Sequence, residues 1–315
     1  MLNKNSRIYI AGHGGVIGTA LVERMKERGF TALLTKGHDQ LDLTCQAEVD
    51  RFFSEERPEY VVLNAAVPAN SVNKRANPMG LMLDNTLIVA NVLSAALKYG
   101  VKKLLYICSI ACYPADAERK DGMLSEEALK PGAIPDEAER YYAMPKLLGE
   151  EICRAVNHTG KMKCVTLVVA QAYGFAYHYD DPQRLPVIPA LIKRFEDAKK
   201  DHIPEVSVWG TGALRRELTS VYDLAEAYLL LLENDEAEGV YNVGTGRYIS
   251  VREMAETIQG VTGFTGKIVF DATKPEASEF PLLCSDRIRA LGWVPKMSFE
   301  EGIRKACAYY EARCL

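Results

Sequence analysis

The feature that most constrains the fold lies near the start of the chain. Arg7–Ala11 is a short β-rich run, Gly12-His-Gly-Gly-Val-Ile-Gly18 follows it, and an amphipathic stretch continues to Arg28. Strand, glycine-rich turn and helix in that order open a βαβ unit. Gly12, Gly15 and Gly18 make a G-x-x-G-x-x-G turn whose bare backbone admits a pyrophosphate and seats it on the helix N-terminus. With further βαβ units behind it, this turn, Val16 and Ile17 included, reads as a dinucleotide site and not as a plain tight turn.

The alternation continues. Strands are expected at Thr31–Leu34, Tyr60–Asn64, Lys103–Ser109 and Cys164–Ala170, and helices at Ala47–Glu55, Asn85–Tyr99 and Tyr142–Val156. Such spacing implies right-handed crossovers and a parallel sheet. After Tyr173 the rhythm changes: Val187–Lys199 is helical, Val206–Trp209 is a strand, and Val221–Leu232 is a helix returning to the sheet before a strand at Val240–Val243. Ser250 and Glu253 form a capping box for a later helix. The fold class is α/β, a doubly wound parallel Rossmann sheet with a smaller interleaved α/β substrate domain. Residues 1–173 and 217–243 are assigned to the dinucleotide-binding domain, and 174–216 and 244–315 to the smaller one.

Charge narrows the function. The 315 residues carry 38 Lys+Arg against 42 Asp+Glu, a formal net charge of −4, which lacks the basic excess of a nucleic-acid protein. The apolar stretches Tyr60–Val67 and Leu87–Leu97 are interrupted or too short for a membrane span. Met1–Arg7 is polar and leads straight into a strand, so no signal peptide is expected. The 8 cysteines form no C-x-x-C pair and have no histidine at ligand spacing, so no metal site is expected. They read as reduced, structural thiols of a cytoplasmic protein, with only Cys108 and Cys112 placed where chemistry is open to them.

Tyr142-Ala-Met-Pro-Lys146 puts a tyrosine and a lysine at i, i+4, on one helix face. The ammonium is expected to favour the phenolate and make Tyr142 a usable general acid or base, with Pro145 falling in the helix's first turn. Ser109 ends the fourth strand, at the sheet edge where ligands of such folds bind. After the second strand, Lys36 and His38 precede Asp39, which tilts the cofactor to NADP(H) over NAD(H).

Together these residues resemble the extended short-chain dehydrogenase/reductase family, in detail its GDP-L-fucose synthase group. The resemblance runs through Ala11-Gly-His, Leu41-Asp-Leu-Thr44, Tyr113-Pro114, Tyr142 and Lys146, Val187-Ile-Pro-Ala-Leu191, Val208-Trp-Gly-Thr-Gly212, Arg216-Glu217, Asn242-Val-Gly-Thr-Gly246 and Leu291-Gly-Trp293. It implies hydride transfer between a nicotinamide and a nucleotide-sugar ketone, with Ser109, Tyr142 and Lys146 as the triad. Asp42 would hold the adenine, with Leu43, Ala65 and Ala66 beside the cofactor and Lys146 on its ribose. Arg194, Trp209 and Arg216 would line the nucleotide-diphosphate site. The helices Asn85–Tyr99 and Tyr142–Val156 would pair across a homodimer axis.

The departures are equally specific. Where the group reads Gly-Ser-Ser-Cys-Ile-Tyr-Pro, this chain reads Cys108-Ser-Ile-Ala-Cys-Tyr-Pro114, so Ala111 stands at the position of the epimerisation cysteine. The partner histidine is replaced by Pro186, a basic residue near the 2′-phosphate by Gly14, and a downstream basic pair by Phe280-Pro281. A paired Asp-Asp becomes Tyr222-Asp223. The expectation is an NADP(H)-dependent 4-ketoreductase of a nucleotide-linked, GDP-type 4-keto-6-deoxy sugar that has lost epimerisation. One alternative is a full 3,5-epimerase/4-reductase using Cys112 with His178 or Tyr179; another is a non-catalytic cofactor-binding protein.

Overall fold

A computed structural model describes residues 1–68, 77–177, 179–180, 185–274 and 279–314. The central sheet is built from β1 (Ile8–Ala11), β2 (Leu33–Leu34), β3 (Tyr60–Leu63), β4 (Lys103–Ser109), β7 (Lys163–Val169) and β11 (Gly239–Val243). The intervening numbers are a hairpin, β5 (Arg119–Lys120) with β6 (Met123–Leu124), and three strands outside that sheet, β8 (Gln171–Tyr173), β9 (Glu205–Trp209) and β10 (Arg215–Ser220), to which β12 (Tyr248–Ser250) and β13 (Lys267–Asp271) are added. The spatial order is β11-β7-β4-β3-β1-β2, with every neighbour parallel. From β1 the chain goes first to β2 on one side and then to β3 on the other. That reversal is the switch point, and it opens a crevice at the carboxyl ends of β1 and β3.

Helices α1 (Val16–Glu27), α2 (Gln46–Glu56), α3 (Pro78–Lys98), α4 (Arg140–Thr159), α5 (Val187–Lys200), α6 (Val221–Glu233), α7 (Val251–Thr262), α8 (Asp286–Arg289) and α9 (Phe299–Cys314) complete the described framework. Helices α2, α3 and α4 cover one sheet face through Phe52, Phe53, Val92, Leu93 and Leu147. Helices α1 and α6 cover the other through Leu21, Met25, Leu224 and Tyr228. Because both faces are covered, β3 and β4 are near-continuous apolar runs.

A third core, with Ile192, Phe195, Met254, Ile258, Ile303 and Tyr310, unites α5, α7 and α9 against the sheet β12-β10-β8. Ile288 and Trp293 lie in the range expected for the smaller domain, yet they pack with the α1/α6 face of the central sheet. The reason is local: Trp293 Nε1 donates to Asp223 O at 2.9 Å, and the Asp223 carboxylate accepts from Lys296 N at 2.8 Å.

Two helices depart from expectation. Helix α3 begins at Pro78, not near Asn85, because the Asn77 side chain accepts from Gly80 N at 2.9 Å and Pro78 occupies the first turn, a favoured start. Among the described residues it is the one helix long and apolar enough to span a membrane by length and composition. The shorter stretch Leu87–Leu97 therefore understated its length, although Leu81, Ile88, Val92 and Leu93 are buried in the protein core. Helix α4 starts at Arg140, where the Glu139 carbonyl takes Tyr142 N and Ala143 N at 3.0 and 2.9 Å. Pro145 thus sits in the second turn, not the first, and lacks the N–H that would bond the Tyr141 carbonyl.

Candidate active site

The glycine-rich turn follows β1 directly. Gly12 has φ +82°, and a Cβ there would lie 2.7 Å from Ala65 N. A Cβ on Gly18 would lie 2.1 Å from Gly12 O, so the turn and the first turn of α1 touch backbone to backbone. Gly14 and Gly15 face outward, and no side chain caps α1. The Nδ1 of His13 is buried with no hydrogen-bond partner among the described residues. A backbone cradle at an uncapped helix N-terminus fits the pyrophosphate of a dinucleotide. Val16 and Ile17 form the start of that helix, and Ala65, followed by Ala66, lies against Gly12 as the chain leaves β3. Sequence reasoning missed His13 and also Asn64, which β1 holds through Asn64 N to Ala11 O at 3.0 Å and which accepts from Tyr228 Oη. Their places beside Gly12 and Ala65 were the available signal.

Past β2, Lys36 and His38 lie on an exposed segment. Asp42 and Leu43 form a pinned turn. The Asp42 carboxylate accepts from Thr44 N at 2.9 Å and Thr44 Oγ1 at 2.7 Å, and these bonds hold it below the usual aspartate range. Asn91 of α3 donates to Leu43 O at 2.9 Å.

Ser109, Tyr142 and Lys146 converge at the carboxyl edge of β4. The Ser109 hydroxyl accepts from Ala111 N at 3.2 Å and lies close enough to the half-buried Tyr142 phenol to favour its ionised form; it both caps a turn and neighbours the tyrosine. Lys146 is only 5% exposed. Its Nζ donates to Ile107 O at 3.1 Å and lies 5.6 Å from the centre of the Tyr142 ring. The expected direction of the Tyr142 shift is reversed. Burial pushes the phenol above its ordinary value near 10, the Cys112 and Cys108 thiols add to this, and the nearby Ser109 hydroxyl opposes it. The ammonium, itself pulled below its usual 10.5 by burial, does not outweigh the lost solvation.

Ala111, two residues past Ser109, is buried, and Pro186 is the exposed residue preceding α5. Cys112 is 0% exposed; its Sγ meets Cys108 Sγ at 3.2 Å and the Ala143 carbonyl at 3.6 Å. Tyr179 packs on Tyr310 with ring centres 4.6 Å apart and belongs to the third core. His178 lies outside the described residues.

On the far side of the crevice Trp209 is 55% exposed at the end of β9. The guanidinium of Arg194 and the Nζ of Lys274 each lie 5.9 Å from its ring centre; Lys274 was not anticipated from sequence. Arg216 is half-buried on β10. Burial lowers its pKa, while the Glu279 and Glu139 carboxylates oppose the shift. Glu139 is the N-cap of α4.

The model of the NAD dependent epimerase/dehydratase family matches residues 8–244. A putative GDP-L-fucose synthase 2 of Oryza sativa subsp. japonica is 39% identical over 98% of this chain and 88% of the rice protein. Two solved structures from Campylobacter jejuni superpose over almost the whole chain. A GDP-D-glycero-L-gluco-heptose synthase in the presence of NADPH gives TM-score 0.88 at 30% identity, covering 99% of this chain and 100% of that one. A GDP-mannoheptose C4 reductase with NADP bound gives TM-score 0.86 at 32% identity, covering 99% and 100%. The chain belongs to the NAD dependent epimerase/dehydratase family, the extended short-chain dehydrogenases/reductases, and is an enzyme of its oxidoreductase class.

Proposed function

We propose that this protein is an NADP(H)-dependent 4-ketoreductase of a GDP-linked 4-keto-6-deoxy sugar that reduces without epimerising. One observation carries the reading: Ser109, Tyr142 and Lys146 converge intact, while Ala111 and Pro186 occupy the positions of the group's epimerisation acid and base. Neither side chain exchanges a proton. The full burial of Cys112 and the core packing of Tyr179 support that reading. The C4 reductase with NADP bound and the NADPH-associated synthase support both the reaction and the choice of cofactor.

Gly12, Gly15, Val16, Ile17 and Gly18 would hold the pyrophosphate, Asp42 the adenine, and Lys36 and His38 the 2′-phosphate. The chemistry supplied by bound NADPH is hydride delivery to C4. The Ser109 hydroxyl orients the ketone oxygen toward Tyr142, and the phenol donates its proton to that oxygen. Its raised pKa suits a proton donor, because the phenol stays neutral at physiological pH. Lys146 and Ser109 then steady the phenolate until it is reprotonated. Arg194 and Trp209 would take the nucleotide base and diphosphate, with Arg216 nearer the sugar. Met82, Leu83 and Leu87 of α3 and Met144 and Leu148 of α4 are exposed, which supports a second copy of this chain docking on that face.

The test supplies GDP-4-keto-6-deoxy-mannose and NADPH and follows NADPH consumption and the C4 alcohol. Tyr142→Phe should lose about 10²–10⁴-fold in kcat, the usual worth of a positioned acid. Unchanged turnover in that variant contradicts the assignment.

A further inference from the structure

The ammonium of Lys146 is held from below by a residue that neither the motif nor its spacing points to. Tyr106, on β4, is 1% exposed. Its ring centre lies 5.7 Å from Lys146 Nζ, nearly the 5.6 Å of the Tyr142 ring. Both distances fall within cation–π reach. The Tyr106 Oη donates to the backbone carbonyl of Lys146 at 3.3 Å, so one side chain contacts both ends of the lysine. Ile107, the next residue on the strand, supplies the carbonyl that accepts from Nζ at 3.1 Å.

The space for this ring is made by a glycine on the facing helix. A Cβ on Gly149 would lie 2.5 Å from Tyr106 Cζ and 2.6 Å from its Oη. A rigid ring buried in the core cannot move aside cheaply from such a contact. Gly149 and Tyr106 therefore fit as a pair, and the pair lies directly under the lysine.

We propose that Tyr106, admitted by Gly149, is a positioning residue that fixes the Lys146 ammonium beneath the Tyr142 phenol. This rests on the assignment of Tyr142 as proton donor and Lys146 as its neighbour on the cofactor ribose. A lysine has four rotatable side-chain bonds, and a single carbonyl at Nζ restricts them weakly. Two flanking rings and an anchored backbone hold it in one place before the cofactor arrives. The dividend is rate, because misplacement of such a group by about 1 Å costs up to 10²-fold.

The experiment compares Tyr106→Leu, Tyr106→Phe and Gly149→Ala with the unaltered protein. It measures kcat, KM, the pH dependence of kcat, the Kd for NADPH by fluorescence, and Tm. Tyr106→Leu should lose about tenfold in kcat with little change in sugar KM, shift the alkaline limb of the pH profile and weaken NADPH binding several-fold. Tyr106→Phe keeps the ring and should recover most of the rate. Gly149→Ala should reproduce the leucine defect by displacing the ring. Should Tyr106→Leu not fold, Tyr106→Met, flexible and of similar reach, carries the same reading. A lower Tm with unchanged kcat, pH profile and NADPH Kd would overturn the proposal and leave Tyr106 as packing alone. If the unaltered protein reduces no keto sugar, the ketoreductase reading fails, while the NADPH Kd series still decides the placement of Lys146.

Discussion

Strand β4 has a buried lysine at or near each end, and the two do different things. Lys103, at the amino end, is 3% exposed, and its Nζ donates to the carbonyls of Leu231 and Asn234 at 2.6 and 2.5 Å. It closes the C-terminus of α6, where free carbonyls and the helix dipole favour a cation. Lys146, across from the carboxyl end, is 5% exposed and gives Nζ to one carbonyl, its other neighbours being the rings of Tyr106 and Tyr142. Burial lowers both ammonium pKa values, so a depressed pKa does not distinguish them. What does is the acceptor set: two backbone carbonyls at a helix end take Lys103 Nζ, while one carbonyl and two tyrosine rings surround Lys146 Nζ. Position on the sheet agrees, since ligands gather at the carboxyl edge of parallel strands.

Exchanging each lysine for methionine breaks this comparison most sharply. Lys146→Met should lower kcat by about 10²-fold or more and leave Tm unchanged or raised, because it removes a poorly compensated buried charge. Equal loss of rate in both variants would erase the distinction. Lys103→Met should leave kcat intact and cost about 1–3 kcal/mol of stability, the price of two carbonyls left without donors. Thermal or denaturant unfolding reads that directly.

A smaller effect sharpens the same contrast through pH. The folded Lys103 titrates at about 8 against an ordinary 10.5. Between those values the unfolded chain keeps a proton that the folded chain has lost, so raising pH favours folding. The stability of the unaltered protein relative to Lys103→Met should therefore grow from about pH 8 to 10.5 and be flat below. A difference that shrinks over that window contradicts the assigned burial.

The sequence made one end of β4 readable and left the other obscure for a physical reason. Gly12 to Gly18, the strand ending at Ser109 and the i, i+4 spacing of Tyr142 and Lys146 are local patterns, and local backbone geometry is enough to align them. Tyr106 and Gly149 are a contact between strand and helix with no spacing to betray it. Lys103 opens a strand with no local pattern to mark its burial, because its partners are carbonyls more than a hundred residues away. Cys112 ends a 3-10 turn, Ile110–Cys112, that follows the strand, and that turn carries Ala111 and Cys112 alike into the core. The late start expected for α3 and the misplaced Pro145 were boundary errors, set by a cap at Asn77 and by a Glu139 carbonyl that no periodicity marks.

The central claim is that the triad has been kept while proton exchange at C3 and C5 has been lost. It is tested most directly by running the reaction in D2O with NADPH and GDP-4-keto-6-deoxy-mannose, then locating deuterium in the product by NMR. The account predicts a C4 alcohol with unlabelled C3 and C5 and unchanged configuration at both. Deuterium at C3 and C5, with inversion, would show that epimerisation survives despite Ala111 and Pro186 and would contradict it.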